Sequence, residues 1–421
     1  MKKVVLTCVS LFACALLGSA SAQVRVFIGS TLRPDVIGPI LERFTEETGI
    51  ETEIEEGGAT TEVRDQYLST VLTSRSGDID LYLMDVVNPP GYAAAGWAEP
   101  LDGYFESEAA RDEFLEPFLD SVVTANTVDG QLYGIPAWTD AQFLYYRTDL
   151  LEEYGFEPPT TWAELQEQAL AITEGEGNPN LEGFNYQGAA IEGVNCTFLE
   201  ALWTAGGDWR AEDGTVTVDS DAGRTALAWY DSTLESGITK AAIAEETTDL
   251  SRQTFQAGNA VFMLNWGYAW ALFQNPAEGE ETQVAGKVGV APLPAFEGNE
   301  SATCVGGFQW AMNPFSDNKE EAFQVMQYMA SYESQKELAI AASHIPARDA
   351  LYEDPEVLEA APQFGQFFDV ITNARPRPLT PFYAEVSELI RTNMNAFFAR
   401  AQDADTTLAQ MQSGLEDILE Q

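Results

Sequence analysis

Apolar positions in the first ninety residues switch between two periods. After an apolar leader, Val24–Ile28 forms a short β run. Ile37, Ile40, Leu41 and Phe44 then fall at i, i+3, i+4 and i+7, the spacing of a helix buried on one face, and Gly49 is placed to end that helix. Ile50–Glu55 alternates with period two, as a half-buried strand does. Val63, Tyr67, Leu68, Val71 and Leu72 return to helical spacing, and Ile79–Met84 is another β run, ending at Asp85. Strand and helix alternating in this way predict a parallel sheet covered by helices, an α/β fold.

Further on, Thr161-Trp162-Ala163-Glu164 has the spacing of a capping box and opens a helix through Leu165, Leu170 and Ile172. Glycine-rich stretches at 175–183 and 206–214 read as loops, and Lys287–Leu293 as a strand. Asp317–Glu320 caps a helix carrying Ala322, Val325, Met326 and Met329. The remaining chain is mostly helical in pattern, interrupted at Arg375-Pro376-Arg377-Pro378. No internal repeat and no sharp domain boundary stands out, the pattern of a chain that passes more than once between two lobes.

The leader itself reads as a secretory signal over residues 1–22. Lys2 and Lys3 precede the apolar run Val4–Leu17 and the small-residue site Ala20-Ser21-Ala22. A lipid anchor at Cys14 is the weaker alternative, because Phe12 fits a lipidation site poorly. The longest later apolar stretch, Ala260–Phe273, is too short to span a bilayer and is broken by Asn265 and Gly267. The expected location is the periplasm. Cys8 and Cys14 would leave with the signal, and Cys196 and Cys304 remain. An exported pair forms a disulfide or packs as two buried thiols, and spacing alone does not decide.

Composition narrows the chemistry. The chain has 421 residues, with 21 Lys and Arg against 67 Asp and Glu, a net charge of −46. Such a surface repels phosphate backbones, so nucleic acid is not an expected partner. His344 is the only histidine, which excludes a multi-histidine metal site and histidine-pair catalysis. Gly-x-x-x-x-Gly-Lys-Ser/Thr and Gly-x-Ser-x-Gly are absent, and Asp213–Asp221 lacks calcium-loop spacing. No cofactor, metal or catalytic residue is expected. A secreted carbohydrate-active enzyme survives only as an alternative, since carboxylate pairs arise by chance among 67 acids. The acidic excess also fits life in high salt, where screening relieves self-repulsion.

Three places set aromatic rings beside polar groups: Pro136–Asp140, Asn265–Trp270 and Cys304–Phe308. Sugars need this mixture, with a C–H face stacked on a ring and hydroxyls met by in-plane donors and acceptors. The competing reading is ordinary core packing.

Longer blocks then carry a family resemblance: Asp80–Val86, Gly96–Asp102, Leu132–Leu151, Glu192–Cys196, Phe255–Trp270, Lys287–Pro294 and Pro376–Tyr383. In these the chain resembles the extracellular solute-binding proteins of ABC sugar importers, and most of all their trehalose/maltose-binding type. The resemblance implies a monomeric two-lobe periplasmic-binding fold (type II) with a hinged cleft, a small sugar or glucosylated osmolyte as ligand, and permease subunits as partners. It implies a first lobe of 23–138 and 287–330, and a second of 139–286 and 331–421. Residue by residue, it makes Arg64, Asp85, Trp138, Asp140, Trp266, Tyr268, Gly306, Gly307 and Arg377 ligand contacts. Two positions depart from the pattern: Arg33 replaces a glutamate and Phe308 a tryptophan. Exchanging an acceptor for a cationic donor at Arg33 leads one to expect altered hydroxyl recognition or an anionic glucosylated solute.

Overall fold

The computed structural model describes residues 23–277 and 279–420, so the leader expected to be a secretory signal, with Cys8 and Cys14, lies outside the described residues. The chain begins with β1 (Gln23–Ile28) and α1 (Pro34–Thr48). Pro34 opens the helix, where its missing N–H costs nothing. Gly49 ends it at φ 78°, donating to Thr45 O at 2.8 Å. The face that α1 buries is Val36, Ile37, Ile40, Leu41 and Phe44. Next come β2 (Glu51–Glu56), α2 (Thr61–Thr73) and β3 (Leu81–Asp85), with β2 and β3 flanking β1 in parallel register.

A strand of 13 residues, β4 (Ile135–Arg147), then changes lobes. It is followed by α3 (Trp162–Glu176), whose capping box forms as its sequence predicts. Thr161 Oγ1 accepts from Glu164 N at 3.2 Å, and Glu164 Oε2 accepts from Thr161 N at 3.1 Å. The chain continues through β5 (Glu182–Asn185), α4 (Glu192–Thr204), α5 (Thr248–Gln256), β6 (Ala260–Trp266) and β7 (Val288–Ala291). The chain returns along β8 (Val305–Met312) to α6 (Lys319–Met329) and α7 (Tyr332–Ala342), and later forms α8 (Tyr383–Phe398).

These eight strands make one mixed sheet in the order β2-β1-β3-β8-β4-β6-β5, with β7 also on β4. The parallel sheet expected from the sequence holds within β2-β1-β3 and for β5-β6, where helices supply the crossovers. It fails at the centre. There β8 runs antiparallel to β3 and β4, and β4 antiparallel to β6 and β7, because these strands carry the chain between lobes.

Within β4, Ile135–Ala141 pairs with β8, while Gln142–Arg147 pairs with β6 and β7. One strand therefore serves both lobes. Its register against β8 slips between Phe308 and Gln309, a bulge at the junction.

Two large cores lie on either side of that junction. Val26, Ile37, Phe44, Leu83, Ile135, Trp310 and Met326 share one, and Leu144, Trp162, Phe184, Phe198, Phe262 and Val386 share the other. β7 pairs with the second half of β4, and Leu293 and Cys304 join the second core. Leu338 and Ala342 of α7, with Ala347, join the first. Cys196 on α4 and Cys304 before β8 are joined by a disulfide, with Cα atoms 5.7 Å apart.

Candidate functional site

A cavity of about 370 Å³ lies where the lobes meet. Its walls come from the loop after β1, the end of β3, the first turns of α2, α4 and α5, and the middle of the sheet. Ligands of open α/β sheets collect at such strand ends. Ten of the eleven residues expected at the site line it: Arg64, Asp85, Trp138, Asp140, Trp266, Tyr268, Gly306, Gly307, Phe308 and Arg377.

The aromatic residues take their positions from the two central strands. Trp138 and Phe308 are cross-strand partners, with ring centroids 5.3 Å apart, and the Arg64 guanidinium lies 5.2 Å from the Phe308 ring. Trp266 and Tyr268, both partly exposed, line the same cavity. Gly306 leaves room for Trp266: a Cβ there would stand 2.6 Å from Trp266 Cζ3. Gly307, at φ 118°, adopts a backbone that a side chain strains, and a Cβ on it would reach 2.5 Å from Trp138 O. Trp97 and Trp270 stay outside, packing against Tyr92 and donating to Ala360 O respectively.

The polar groups are fixed by the protein itself. Asp140 Oδ1 accepts from Ala141 N at 2.8 Å and from Gly267 N at 2.9 Å. Burial pushes its carboxyl up to about 7, the two backbone amides opposing that. Arg377, itself 3% exposed, donates to Asp85 at 3.0 Å and to Glu192 at 2.8 Å. Glu192 also accepts from Ser387 at 2.5 Å and from Tyr383. Arg64 donates to Thr61 Oγ1 at 2.7 Å, and Thr61 in turn to Asp85 at 3.2 Å. Tyr268 donates to Asp249 at 3.1 Å.

Arg33 does not line the cavity. It sits at φ 57° ahead of α1, and this left-handed turn sends its side chain to Asp35, at 2.9 and 2.8 Å, and to Ala341 O at 3.3 Å. Its neighbours Thr31 and Leu32 face the cavity instead. Sequence reasoning also missed Thr61, Glu62, Glu192, Asp249 and His344, all of which line it. Glu192 opens a block that carried the family resemblance, and Glu62 and Thr61 adjoin Arg64, so those three had a signal. Asp249 and His344 had none.

Among the described residues, no group of three His, Cys, Asp or Glu side chains is arranged to hold a metal ion, and no helix is long and apolar enough to cross a membrane. Residues 30–336 match the family described as bacterial extracellular solute-binding protein. The chain belongs to that family. This solute-binding protein is 39% identical over 316 residues to a probable ABC transporter-binding protein of Deinococcus radiodurans, covering 73% of this chain and 72% of the relative. It is similar to the structure of maltose-bound T. maritima MalE3, with TM-score 0.88 and 35% identity, over 94% of this chain and 99% of that one. A binding protein from Agrobacterium vitis with bound D-mannitol superposes with TM-score 0.81 at 22% identity, over 95% and 98% of the two chains, a likeness of fold alone. Family and fold are those of binding proteins.

Proposed function

We propose that this solute-binding protein is the exported receptor of an ABC importer and captures a neutral α-linked glucose disaccharide of the maltose or trehalose kind. The observation that carries the reading is a single cavity combining aromatic rings (Trp138, Trp266, Tyr268 and Phe308) with carboxylate and guanidinium groups already held in place. Rings stack on the sugar faces, and the held groups meet hydroxyls without first being ordered. Its volume of about 370 Å³ falls in the range of sites that enclose a small ligand. The resemblance to a maltose-bound protein over almost the whole chain supports the ligand class, and the Deinococcus relative supports the transport partner.

Charge supports a neutral ligand over an anionic one. Glu62, Asp85, Asp140, Glu192 and Asp249 line the cavity against Arg64 and Arg377, so acids outnumber cations. Arg33, which motivated the anionic alternative, is already paired with Asp35.

Closure follows by population shift, because the ligand meets both walls only when they are together. We assign the first lobe to 23–138 and 305–347 and the second to the remaining described residues, following Trp310, Met326, Leu338 and Ala347 into the first core, with Ala339 and Ile345 packing instead beside Phe143.

A thermal-shift screen at about 1–3 M salt tests the ligand class, in a range where screening relieves carboxylate repulsion. We expect maltose or trehalose to raise the melting temperature and glucosylglycerate to leave it unchanged. A shift with the anionic sugar alone contradicts the reading. The same screen reads the salt adaptation: the unliganded protein melts higher as salt rises.

A further inference from the structure

His344 lines the cavity and is 3% exposed. It follows Ser343, which ends α7 in a left-handed turn at φ 50°. The next residue, Ile345, accepts from Thr139 N at 3.0 Å, the position where β4 passes between lobes. The imidazole is thus held at the cavity wall between α7 and the shared strand.

Its ring lies parallel to the Trp138 indole, with centroids 4.0 Å apart and planes 8° from parallel. One indole face is therefore covered by imidazole. Neither ring nitrogen makes a well-formed hydrogen bond within the protein, although the Leu32 backbone carbonyl faces the ring. Burial, and after it the charge of Arg33, push its pKa down to about 3, so the ring is neutral at physiological pH. A neutral imidazole carries one N–H and one lone pair. Neither nitrogen finds a partner within the protein, so the lone pair is left without a donor. A buried acceptor in this state is costly unless something supplies a proton donor.

We propose that His344 is a ligand-contacting specificity residue, whose imidazole accepts a hydrogen bond from one sugar hydroxyl while its face sets the plane of Trp138. This rests on the functional reading above and names which side of the site reads a hydroxyl. A site built around such a bond rejects the analogue that lacks the hydroxyl far more strongly than a purely apolar wall does.

Isothermal titration of the full mature chain tests it, using maltose, trehalose and the monodeoxy analogues of whichever binds. His344→Phe keeps a flat ring against Trp138 and removes the nitrogens. His344→Gln restores an acceptor and serves as the second variant if the first fails to fold. We expect His344→Phe to weaken the parent sugar by about tenfold to a hundredfold. One monodeoxy analogue should bind wild type and His344→Phe alike, with His344→Gln falling between. Undiminished binding of the parent sugar by His344→Phe overturns the proposal. So does an equal loss across every analogue, which marks a structural role through Trp138. If wild type binds neither sugar, the functional reading itself has failed, and the proposal falls with it.

Discussion

Asp85 ends β3 and Glu192 opens α4, and Arg377 joins them with hydrogen bonds of 3.0 and 2.8 Å. All three side chains are less than a tenth exposed. Burial alone would lower the Arg377 pKa, but Asp85, Tyr383 and Glu192 carry it above the ordinary arginine range. The guanidinium is therefore a charged strut in the cavity wall. Removing one partner of such a network leaves the others buried and uncompensated, a cost of about 3–5 kcal/mol. Arg377→Met is expected to lower stability by that order in chemical denaturation and to weaken ligand binding at least tenfold. Unchanged values for both would show that the strut contributes nothing.

Gly306→Ala tests the aromatic wall without touching charge. The added Cβ meets Trp266 at 2.6 Å and Asp140 Cβ at 3.1 Å, so the indole must turn away from its present plane. Overpacking of this kind costs about 1–3 kcal/mol. We expect a tenfold or larger loss of affinity by titration, with a modest fall in melting temperature. Gly103→Ala, whose Cβ meets nothing within 4 Å, should leave both unchanged.

Much of the fold was legible because it is written locally. Ile37 to Phe44 mark the buried face of α1, Gly49 its end, and Thr161 with Glu164 the start of α3. The strand directions at the centre were not legible, since nothing in β4 or β8 says that it crosses between lobes. Arg33 was misplaced for a related reason: matching it to a ligand contact fixed its position in the chain but not the left-handed turn that delivers it to Asp35. The disulfide needed the separation between α4 and the start of β8. His344 lies over two hundred residues beyond Trp138 in the chain, and only the folded path along α7 brings it to the indole.

Buried carboxyls should make the protein more stable as the solution becomes mildly acidic. Burial pushes Glu200 from 4.5 up to about 8, and Asp140 and Asp65 from 3.8 up to about 7. Each binds its proton more tightly folded than unfolded, so its contribution is present at low pH and lost as pH rises through these values. His344 acts oppositely, favouring the unfolded state only below about 6.5. Between pH 8.5 and 6.5 the carboxyls act alone. The melting temperature is expected to rise over that fall in pH by on the order of 2–4 °C per kcal/mol gained. Glu200→Gln should flatten the rise, and a melting temperature that falls over this window contradicts the assignment.

Reduction of the Cys196–Cys304 bond releases a loop of 108 residues. Loop closure on that scale corresponds to about 4–5 kcal/mol in the chain-entropy view. A lower denaturation midpoint in reductant, or in Cys304→Ser, is the expected result. Neither cysteine lines the cavity, so affinity measured on the folded protein should change little. An identical midpoint with and without reductant would contradict this.

The central claim is that the two lobes enclose one neutral sugar. Isothermal titration of the mature chain with maltose and with trehalose, in the same high-salt buffer, tests it most directly. Saturable binding of at least one of them is expected at one molecule per chain, with no glucose released on prolonged incubation. Binding of neither, or steady release of glucose, would contradict it.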